Sequence, residues 1–472
     1  MANPGHPSGI KKLGETIVRA FAEFLRLPVV ILAGFFLLAG ATSLLDNSAI
    51  PAAEPLRSFL RQRFFRDAQA TSDLLATIAG SIITVTSITF SLLLLAIQQA
   101  AGALTHQVYD QFLRRRVNQV YFGFFVGLGL YTLVILATVD RPFNPVFGAS
   151  VALLLMIVAL MLMILLLYTT INQMRPAVVI EAIHDHILLA RERQQAWLPR
   201  IRRTPLRSGA ATPVRAPSHG YLAALDLDAL GAGADQAQGD VEISLLVSIG
   251  TYVAFDDVVA EVRAAHSADA ATLALAVPNA IRINQQRDLE TDPAYGIDQL
   301  AIIAWTSIST AKSDPSPGLL VVRSLRDVLA RWAAEGANQT TGGAEPESVP
   351  VVYHDDVVHQ LMDGLETLTV VASESMQPQT VAEIVRTLAL LFDRVSADQQ
   401  QRMEDLIRRS LSALGEHVLT AELDAALGAL VTTLERAGRH ETAQQVRSAR
   451  DLLAASIGKL GSRATRVNGS AG

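Results

Sequence analysis

The sequence predicts a membrane protein, with an all-α bundle of four transmembrane helices followed by a mixed α/β cytosolic C-terminal domain. Three observations support this fold class. The apolar residues gather in about the first 170 positions as four long runs that contain no Lys, Arg, Asp or Glu. The rest of the chain has the composition of an ordinary soluble protein. The net charge of −6 is divided unevenly, with 18 Lys and Arg against 11 Asp and Glu in residues 1–203, and 21 against 34 in the remainder.

The four apolar runs cover residues 29–45, 74–97, 120–139 and 147–170. Each is near or above the roughly 20 residues that a helix needs to cross about 30 Å of hydrocarbon. A surface helix of a soluble protein would show a charged face over such a length, and these runs show none. We therefore interpret all four as transmembrane helices. We expect the first to be retained, because no small-residue signal-peptidase site follows it.

The basic residues predict that both termini lie in the cytosol. Four spans put both ends on one side, and the positive-inside rule assigns that side to the basic N-terminus, the arginines at 114–116 and those after the fourth run. The first connection disagrees with this assignment. It would lie outside, and it carries Arg57, Arg61, Arg63 and Arg66.

Composition and periodicity divide the chain into six segments. A stretch rich in Arg, Pro, Ser and Gly after residue 199 is typical of a linker, and short β-like runs follow it. Helical patterns then continue to the C-terminal region, interrupted by a short strand at 351–353. The predicted segments are an N-terminal cytosolic or interfacial helix at 1–28, the four-helix domain at 29–175, a helix and linker at 176–220, a small β-rich module at 221–277, a mainly helical soluble domain at 278–460 and a disordered tail at 461–472.

The second run carries a stripe of polar side chains. Spacings of three, four or seven residues put on one helical face Thr77, Ser81, Thr84, Ser87, Ser91 and Gln98. Hydroxyls that face lipid leave hydrogen-bonding capacity unused, so we expect this face to meet water, another helix or another subunit. It would then either line a path for an ion or small solute, or serve the close packing of small residues with interhelical hydrogen bonds.

The third run contains a G-x-x-x-G pattern formed by Gly123 and Gly127. Such glycines permit close approach of helices, within the bundle or between protomers.

No acidic or basic side chain lies inside any of the four runs, which argues against a proton-coupled pump or a voltage sensor. Four short spans cannot enclose a wide pore alone, so a channel would have to be oligomeric.

Four groups of residues form a recognisable pattern along the chain. They are 80–92 with 96–98, 119–127 with Tyr131, 220–222 with 249–253, and Arg287-Asp288 with Asp292, 295–300, Ser309 and 313–315. In these groups the chain resembles a family of bacterial predicted membrane proteins catalogued as domain of unknown function 2254. The resemblance implies the class, the topology and a place in the bacterial inner membrane, but no reaction, because the family has no assigned activity. The chain departs from the family where Ser313 and Pro317 replace Asn and Thr, and where His106-Gln107 replaces a common Pro-Arg pair.

The polar residues that we single out in the C-terminal part are Arg287, Asp288, Asp292 and Asp314. Asp314 precedes a helix predicted to begin near Pro317, and a carboxylate at this position can cap a helix. The alternative is an Arg287–Asp314 pair that shapes a site for a small ligand or for another subunit.

The residue patterns give no support to metal, cofactor or nucleic-acid chemistry. The His-Asp clusters at 184–186 and 354–359 each supply at most two ligands on one helix face, fewer than a metal centre needs. The sequence has no cysteine, no nucleophile motif and no phosphate-binding glycine loop, and its acidic C-terminal half argues against nucleic acid. We therefore expect no metal, no cofactor and no enzymatic activity.

Two functional hypotheses remain from the sequence. The first is an oligomeric channel or transporter-like protein, in which the second span lines the path and the cytosolic domain gates it. The second is a membrane-anchored sensor or scaffold without transport activity. The partners expected are the lipid bilayer, further copies of the chain in a homo-oligomer, and a small ligand or ion.

Overall fold

The computed structural model describes residues 25–48, 51, 53–103, 116–140, 143–173, 175–237, 240–309, 314–339, 349–414 and 417–455. The chain divides into two compact units, Met1–Arg175 and Pro176–Gly472, which we call the N-terminal and the C-terminal unit. Most of the predicted N-terminal helix and the whole predicted tail lie outside the described residues, as do His106, Gln107 and Ser313.

The N-terminal unit is helical. Its helices are α1 (Arg26–Asn47), α2 (Glu54–Arg63), α3 (Ala68–Ala103), α4 (Arg116–Ala137) and α5 (Val146–Gln173). Among the described residues, four helices are long and apolar enough to cross a membrane, and they lie within α1, α3, α4 and α5. Each of the four predicted runs therefore forms one helix. The short helix α2 occupies the first connection.

Helix α4 lies at the centre of the bundle and packs against α1, α3 and α5. Its buried side chains include Phe125, Leu128 and Ile135, which join Leu75 and Ile82 of α3 in one apolar core. Large apolar side chains on α4 thus hold the bundle together from within.

Polar side chains connect α1, α4 and α5 near one end of the bundle. The Tyr131 hydroxyl donates to the Gly148 carbonyl at 3.1 Å and lies 3.2 Å from the Thr42 hydroxyl. The Asp46 carboxylate accepts from the backbone N–H groups of Phe147 and Gly148, both at 2.9 Å. These N–H groups open α5 and lack partners within the helix, so Asp46 caps the fourth span.

The C-terminal unit mixes helices and strands. In chain order these are α6 (Pro176–Gln195), β1 (Thr212–Arg215), β2 (Gly220–Leu225), α7 (Leu227–Asp235), β3 (Val241–Leu245), β4 (Tyr252–Val253), β5 (Val258–Ala264), α8 (Ser267–Ala280), β6 (Ile281–Asn284), α9 (Pro293–Ser309), α10 (Ser316–Gln339), β7 (Val351–Val352), α11 (Val357–Glu374), α12 (Pro378–Leu391), α13 (Ala397–Leu414), α14 (Ala421–Arg436) and α15 (His440–Ala455).

The strands form two small sheets. One sheet has the order β1-β5-β3-β7, with β7 parallel to β3 and the other pairs antiparallel. The other sheet has the antiparallel order β4-β2-β6, in which Tyr221 of β2 lies opposite Tyr252 of β4. Ile243 and Val262 are fully buried partners in the first sheet and lie in an apolar core shared with α7 and α8.

The linker predicted within 176–220 is wrong in part, because it contains strand β1. Val214 is buried, whereas Pro213 and Arg215 on either side of it are exposed. Only one side chain of this strand enters the core. The strand therefore lacks the alternation of several apolar residues by which a strand is recognised in a sequence, and its Pro and Arg residues are typical of a linker. The predicted boundary at 277/278 also falls inside α8. The β-rich module therefore contains α7 and most of α8, and it continues through β6 into the segment predicted to be mainly helical.

Candidate functional site

The polar stripe of the second span lies on the outer surface of the four-helix bundle. The exposed residues are Thr77, Thr84, Ser87, Ser91 and Gln98, and Ser81 is half-buried. The opposite face of α3 carries bulky apolar side chains, which pack inward on α4 and α5. Within one chain, therefore, the stripe does not pack against the other helices of the bundle.

Most hydroxyls of this stripe donate to carbonyls of their own helix. Thr77 donates to Asp73 at 2.7 Å, Thr84 to Gly80 at 2.9 Å and Ser91 to Ser87 at 3.0 Å. Such bonds to the carbonyl four residues earlier satisfy the hydroxyl hydrogen and leave the oxygen free to accept another bond. The face therefore presents acceptor atoms along the surface of a membrane-spanning helix.

The two glycines of the G-x-x-x-G pattern face α1. A Cβ atom on Gly123 would lie 2.9 Å from the Cα of Pro28, and one on Gly127 would lie 2.9 Å from Cε2 of Phe35. Both positions are too close for a side chain, so these glycines allow α4 and α1 to pack at short range. They serve contacts within one chain.

Arg287 is the centre of an ion-pair cluster in the C-terminal unit. Its Nε donates to Oδ2 of Asp292 at 2.7 Å, and its Nη1 donates to Oδ2 of Asp298 at 2.5 Å. The guanidinium carbon lies 4.8 Å from the ring centre of Tyr295, within range of a cation–π contact. The Asp292 side chain is only 3% exposed, whereas that of Asp298 is 47% exposed. With Gly250, described next, these four residues form what we call the Arg287 cluster.

Gly250 is where a second chain segment reaches the cluster. It occupies the third position of a turn closed by the N–H of Thr251 and the carbonyl of Ser248, and its φ is +90°. This backbone conformation favours glycine. A Cβ atom at this position would lie 2.7 Å from Nη2 of Arg287 and still nearer to Oδ2 of Asp292. The absence of a side chain at Gly250 therefore lets the turn close over the ion pair.

Local sequence explains how the two carboxylates reach Arg287. Pro293 begins α9, and Asp292 stands immediately before it, where its Oδ1 accepts from the N–H of Tyr295 at 3.1 Å. Asp292 thus caps the helix with one oxygen and binds Arg287 with the other. Asp298 follows on α9 and projects toward the same guanidinium.

Burial and charge act in opposite directions on this cluster. Burial raises the pKa of Asp292 above its ordinary value, and this effect outweighs the opposing hydrogen bond and charge of Arg287. Burial lowers the pKa of Arg287, but the hydrogen bond and charge of Asp292, together with Asp298, outweigh it and raise the pKa above its usual range. Arg287 therefore stays charged under all ordinary conditions.

A neighbouring group of aromatic and charged side chains holds the other side of the Gly250 turn. The N–H of Ile249 donates to the Tyr353 hydroxyl at 3.1 Å, and the Tyr353 ring meets the Trp197 ring edge-on at 5.5 Å. Arg191 pairs with Asp355 at 2.6 Å. The sequence analysis did not connect these residues with the Gly250 turn, although it placed Asp355 in a His-Asp cluster. The one available signal was the short apolar strand that ends at Tyr353.

The remaining two candidates act as caps of local structure. Asp288 accepts from the N–H of Glu290 at 3.0 Å. Asp314 accepts from the N–H of Ser316 at 2.9 Å and from its hydroxyl at 2.6 Å, at the start of α10. These two bonds lower the pKa of Asp314. Arg287 pairs with Asp292 and Asp298, so the alternative of an Arg287–Asp314 pair is wrong.

The chemistry available to the Arg287 cluster is structural. Its oppositely charged groups lie within hydrogen-bond distance of one another, and they connect the Gly250 turn, the segment before α9 and α9 itself. Among the residues that the structure describes, no group of three or more His, Asp or Glu side chains could hold a metal ion. The cluster thus stabilises the meeting point of three segments that belong to two of the groups in the sequence pattern.

Fold and site together define a class: a membrane protein with several apolar helices and a mixed α/β C-terminal unit. The chain belongs to the family described as predicted membrane protein DUF2254, which it matches over residues 22–389. This confirms the resemblance inferred from the sequence. The matched region contains both the polar face of α3 and the Arg287 cluster, and it ends within α12.

Curated relatives extend the comparison without adding an activity. Uncharacterized proteins of Mycobacterium bovis and Mycobacterium tuberculosis are each 25% identical to the chain over 268 residues. The alignments cover 54% of this chain and 51% of each relative, so the chain spans about half the length of the curated relatives it matches. No solved structure matches the chain.

Proposed function

We propose that this protein forms a homo-oligomer in the bacterial inner membrane, in which α3 of each protomer lines a path for an ion or small polar solute. Both termini lie in the cytosol in this proposal, as the distribution of arginine predicts. The C-terminal unit is then cytosolic and controls opening of the path. The protein carries out no catalysis.

One observation carries the proposal. The polar stripe of α3 points away from the other helices of its own chain, and its hydroxyl oxygens remain able to accept hydrogen bonds. In a monomer this face would meet lipid, which offers no donors. In a ring of protomers, the same face would meet water and the equivalent faces of other copies, where acceptor oxygens can replace part of the hydration of a solute.

The chain offers a matched pair of variants to test the path. Thr84 and Thr86 are two residues apart, and both donate to the carbonyl four residues earlier, at 2.9 and 2.7 Å. Thr84 belongs to the stripe, whereas Thr86 lies on the other side of α3. Val has the shape of Thr without its hydroxyl, so each substitution removes the same group at nearly constant volume.

Flux through the full-length protein in liposomes gives the readout, with potassium chloride conductance and glycerol-driven swelling as probes. Thr84→Val is expected to lower the flux, and its matched control Thr86→Val to leave it unchanged. Adding Ser87→Ala and Ser91→Ala to Thr84→Val should lower the flux further. Ser87→Leu with Ser91→Leu should abolish flux by filling the path. Equal flux in all of these folded variants would contradict the proposal.

Cross-linking tests the assembly separately. Because the chain has no cysteine, Ser87→Cys introduces a single thiol, and oxidation should link protomers if the stripes face one another. Ile157→Cys is the matched control, because Ile157 is similarly exposed on α5, away from the stripe. Links formed equally at both positions, or at neither, would argue against a shared axis lined by α3.

The alternative function is a membrane-anchored sensor or scaffold. It is favoured by the bonds of Thr84 and Ser91 to their own helix, which make contact with lipid tolerable. This alternative predicts no flux in the unmodified protein for either probe. The stripe then serves only to anchor the chain or to assemble protomers.

A further inference from the structure

Helix α2 lies at the membrane boundary by its position in the chain. It connects α1, which ends at Asn47, to α3, which begins at Ala68, and both of these helices contain spans. A segment between two adjacent spans has to remain close to the bilayer surface. The four arginines that disagree with the positive-inside rule lie in this segment, in α2 or just after it.

Several contacts hold α2 against the bundle. The Nη2 group of Arg57 donates two hydrogen bonds at the end of α1, to the carbonyl of Leu45 at 2.5 Å and to that of Ser48 at 2.9 Å. The Asn144 amide donates to the carbonyl of Phe65 at 3.0 Å, and the Phe65 ring is buried in the bundle core. The orientation of α2 is therefore set by the bundle, and the segment is not a free loop.

One face of α2 exposes large apolar side chains, whereas Ser58 and Gln62 are exposed on the neighbouring face. Leu56 and Phe59, three residues apart, are 54% and 59% exposed, and Phe64 just beyond the helix is 58% exposed. Three large apolar side chains exposed together within nine residues are unfavourable in water. The same arrangement is typical of helices that lie in the membrane interface.

Exposed cations lie around this apolar face. The ion pairs among the described residues include neither Arg61 nor Arg63, and Arg66 uses its Nε to bind the carbonyl of Gln62 at 2.9 Å. Arg57 is different, since it pairs with Glu54 at 3.1 Å. Three guanidinium groups thus remain available to anions at the level where lipid phosphates lie, and guanidinium groups bind phosphate well.

We propose that α2 is an interfacial helix that binds anionic lipid, with Leu56, Phe59 and Phe64 among the acyl chains and Arg61, Arg63 and Arg66 on lipid phosphates. The apolar face supplies insertion, and the arginines supply preference for anionic headgroups. Arginines bound to lipid in this way are tolerated on whichever side of the membrane the first connection lies. The inference is independent of any transport function.

The absence of cysteine makes this directly testable in the full-length protein. The single thiol of the Phe59→Cys variant is labelled with a fluorophore, and the protein is reconstituted in nanodiscs of phosphatidylcholine mixed with the anionic lipid phosphatidylglycerol. Ser58→Cys is the matched control, because Ser58 is an exposed neighbour about 100° around the helix. Spin-labelled lipid should quench the label at position 59, and a water-soluble quencher should not. At position 58 the water-soluble quencher should be effective and the spin-labelled lipid should not.

A second comparison tests the arginines. Spin-labelled phosphatidylglycerol should quench the label at position 59 more strongly than spin-labelled phosphatidylcholine, with a local enrichment of about fivefold for an arginine at the surface. The added substitutions Arg61→Gln, Arg63→Gln and Arg66→Gln should make the two lipids equal while insertion persists.

Three results would contradict the proposal. Equal access of the aqueous quencher to positions 58 and 59 would show that the apolar face lies in water. Shielding of position 59 from both lipid and water would show that protein covers it. Equal quenching by the two lipids before any arginine is replaced would refute the assignment of the arginines to anionic headgroups.

Discussion

Gly250→Ala is the substitution that most directly tests whether the Arg287 cluster is a rigid unit. Gly250 has φ of +90°, and a Cβ atom there would meet Nη2 of Arg287 at 2.7 Å and would approach Asp292 more closely still. Holding Ala in a left-handed conformation costs about 1–2 kcal/mol. Displacing the ion pair adds an overpacking term of about 1–3 kcal/mol. We therefore expect the variant to lose about 2–5 kcal/mol of unfolding free energy in the C-terminal unit.

Gly438→Ala is the matched control. Gly438 also has a positive φ, +73°, but a Cβ atom there would meet nothing within 4 Å. It should therefore lose only the conformational term of about 1–2 kcal/mol. The difference between the two variants isolates the displacement of Arg287 and Asp292 by the added methyl group.

Denaturant unfolding of the full chain in detergent, followed by tryptophan fluorescence, measures both variants. The three tryptophans are Trp197, Trp305 and Trp332, and all lie in the C-terminal unit, so the signal reports on that unit. Equal losses for Gly250→Ala and Gly438→Ala would refute the reasoning, because the ion pair would then move aside without cost.

Three further predictions use the same structure. Arg287→Gln should destabilise the C-terminal unit by about 3–5 kcal/mol, because it leaves the buried Asp292 carboxylate unpaired. Asp298→Asn changes a half-exposed carboxylate and should cost under about 1 kcal/mol. The same fluorescence measurement checks both variants. Gly127→Ala should lower the thermal stability of the membrane bundle by about 1–3 kcal/mol through its clash with α1, and Gly40→Ala, where a Cβ meets nothing within 4 Å, should not. Thr420→Ala removes the side chain that caps α14 and should cost about 1 kcal/mol in denaturant unfolding; an unchanged midpoint would contradict this role.

The polar face of α3 shows which part of the site could be predicted from the sequence. The spacing of its hydroxyls identifies the face, because a helix has a known period. The spacing does not tell which neighbour the face meets. Leu75, Ile78 and Ile82 form the inward side because their larger apolar area packs better against α4, and this leaves the small polar residues outside.

The partner of Arg287 shows the opposite case. Asp292 and Asp314 are both aspartates near a helix start, and their local sequences look alike. The chain reverses before Pro293, which brings Asp292 back to Arg287, while Asp314 remains at the start of α10. A choice between two such partners depends on the path of the chain and not on residue type.

The sequence alone determined the membrane class, the four long apolar helices and the family, and it offered the cap at Asp314 as one of two alternatives, because each depends on consecutive residues or on short spacings. Only the tertiary structure decided the outward position of the α3 face, the strand at Val214, the role of Asp314 and the meeting of the Gly250 turn with Arg287 and Tyr353. The physical reason is that spanning and capping are local properties of a helix. Packing and ion pairing depend on which distant segments fold against one another, and that is a property of the whole chain.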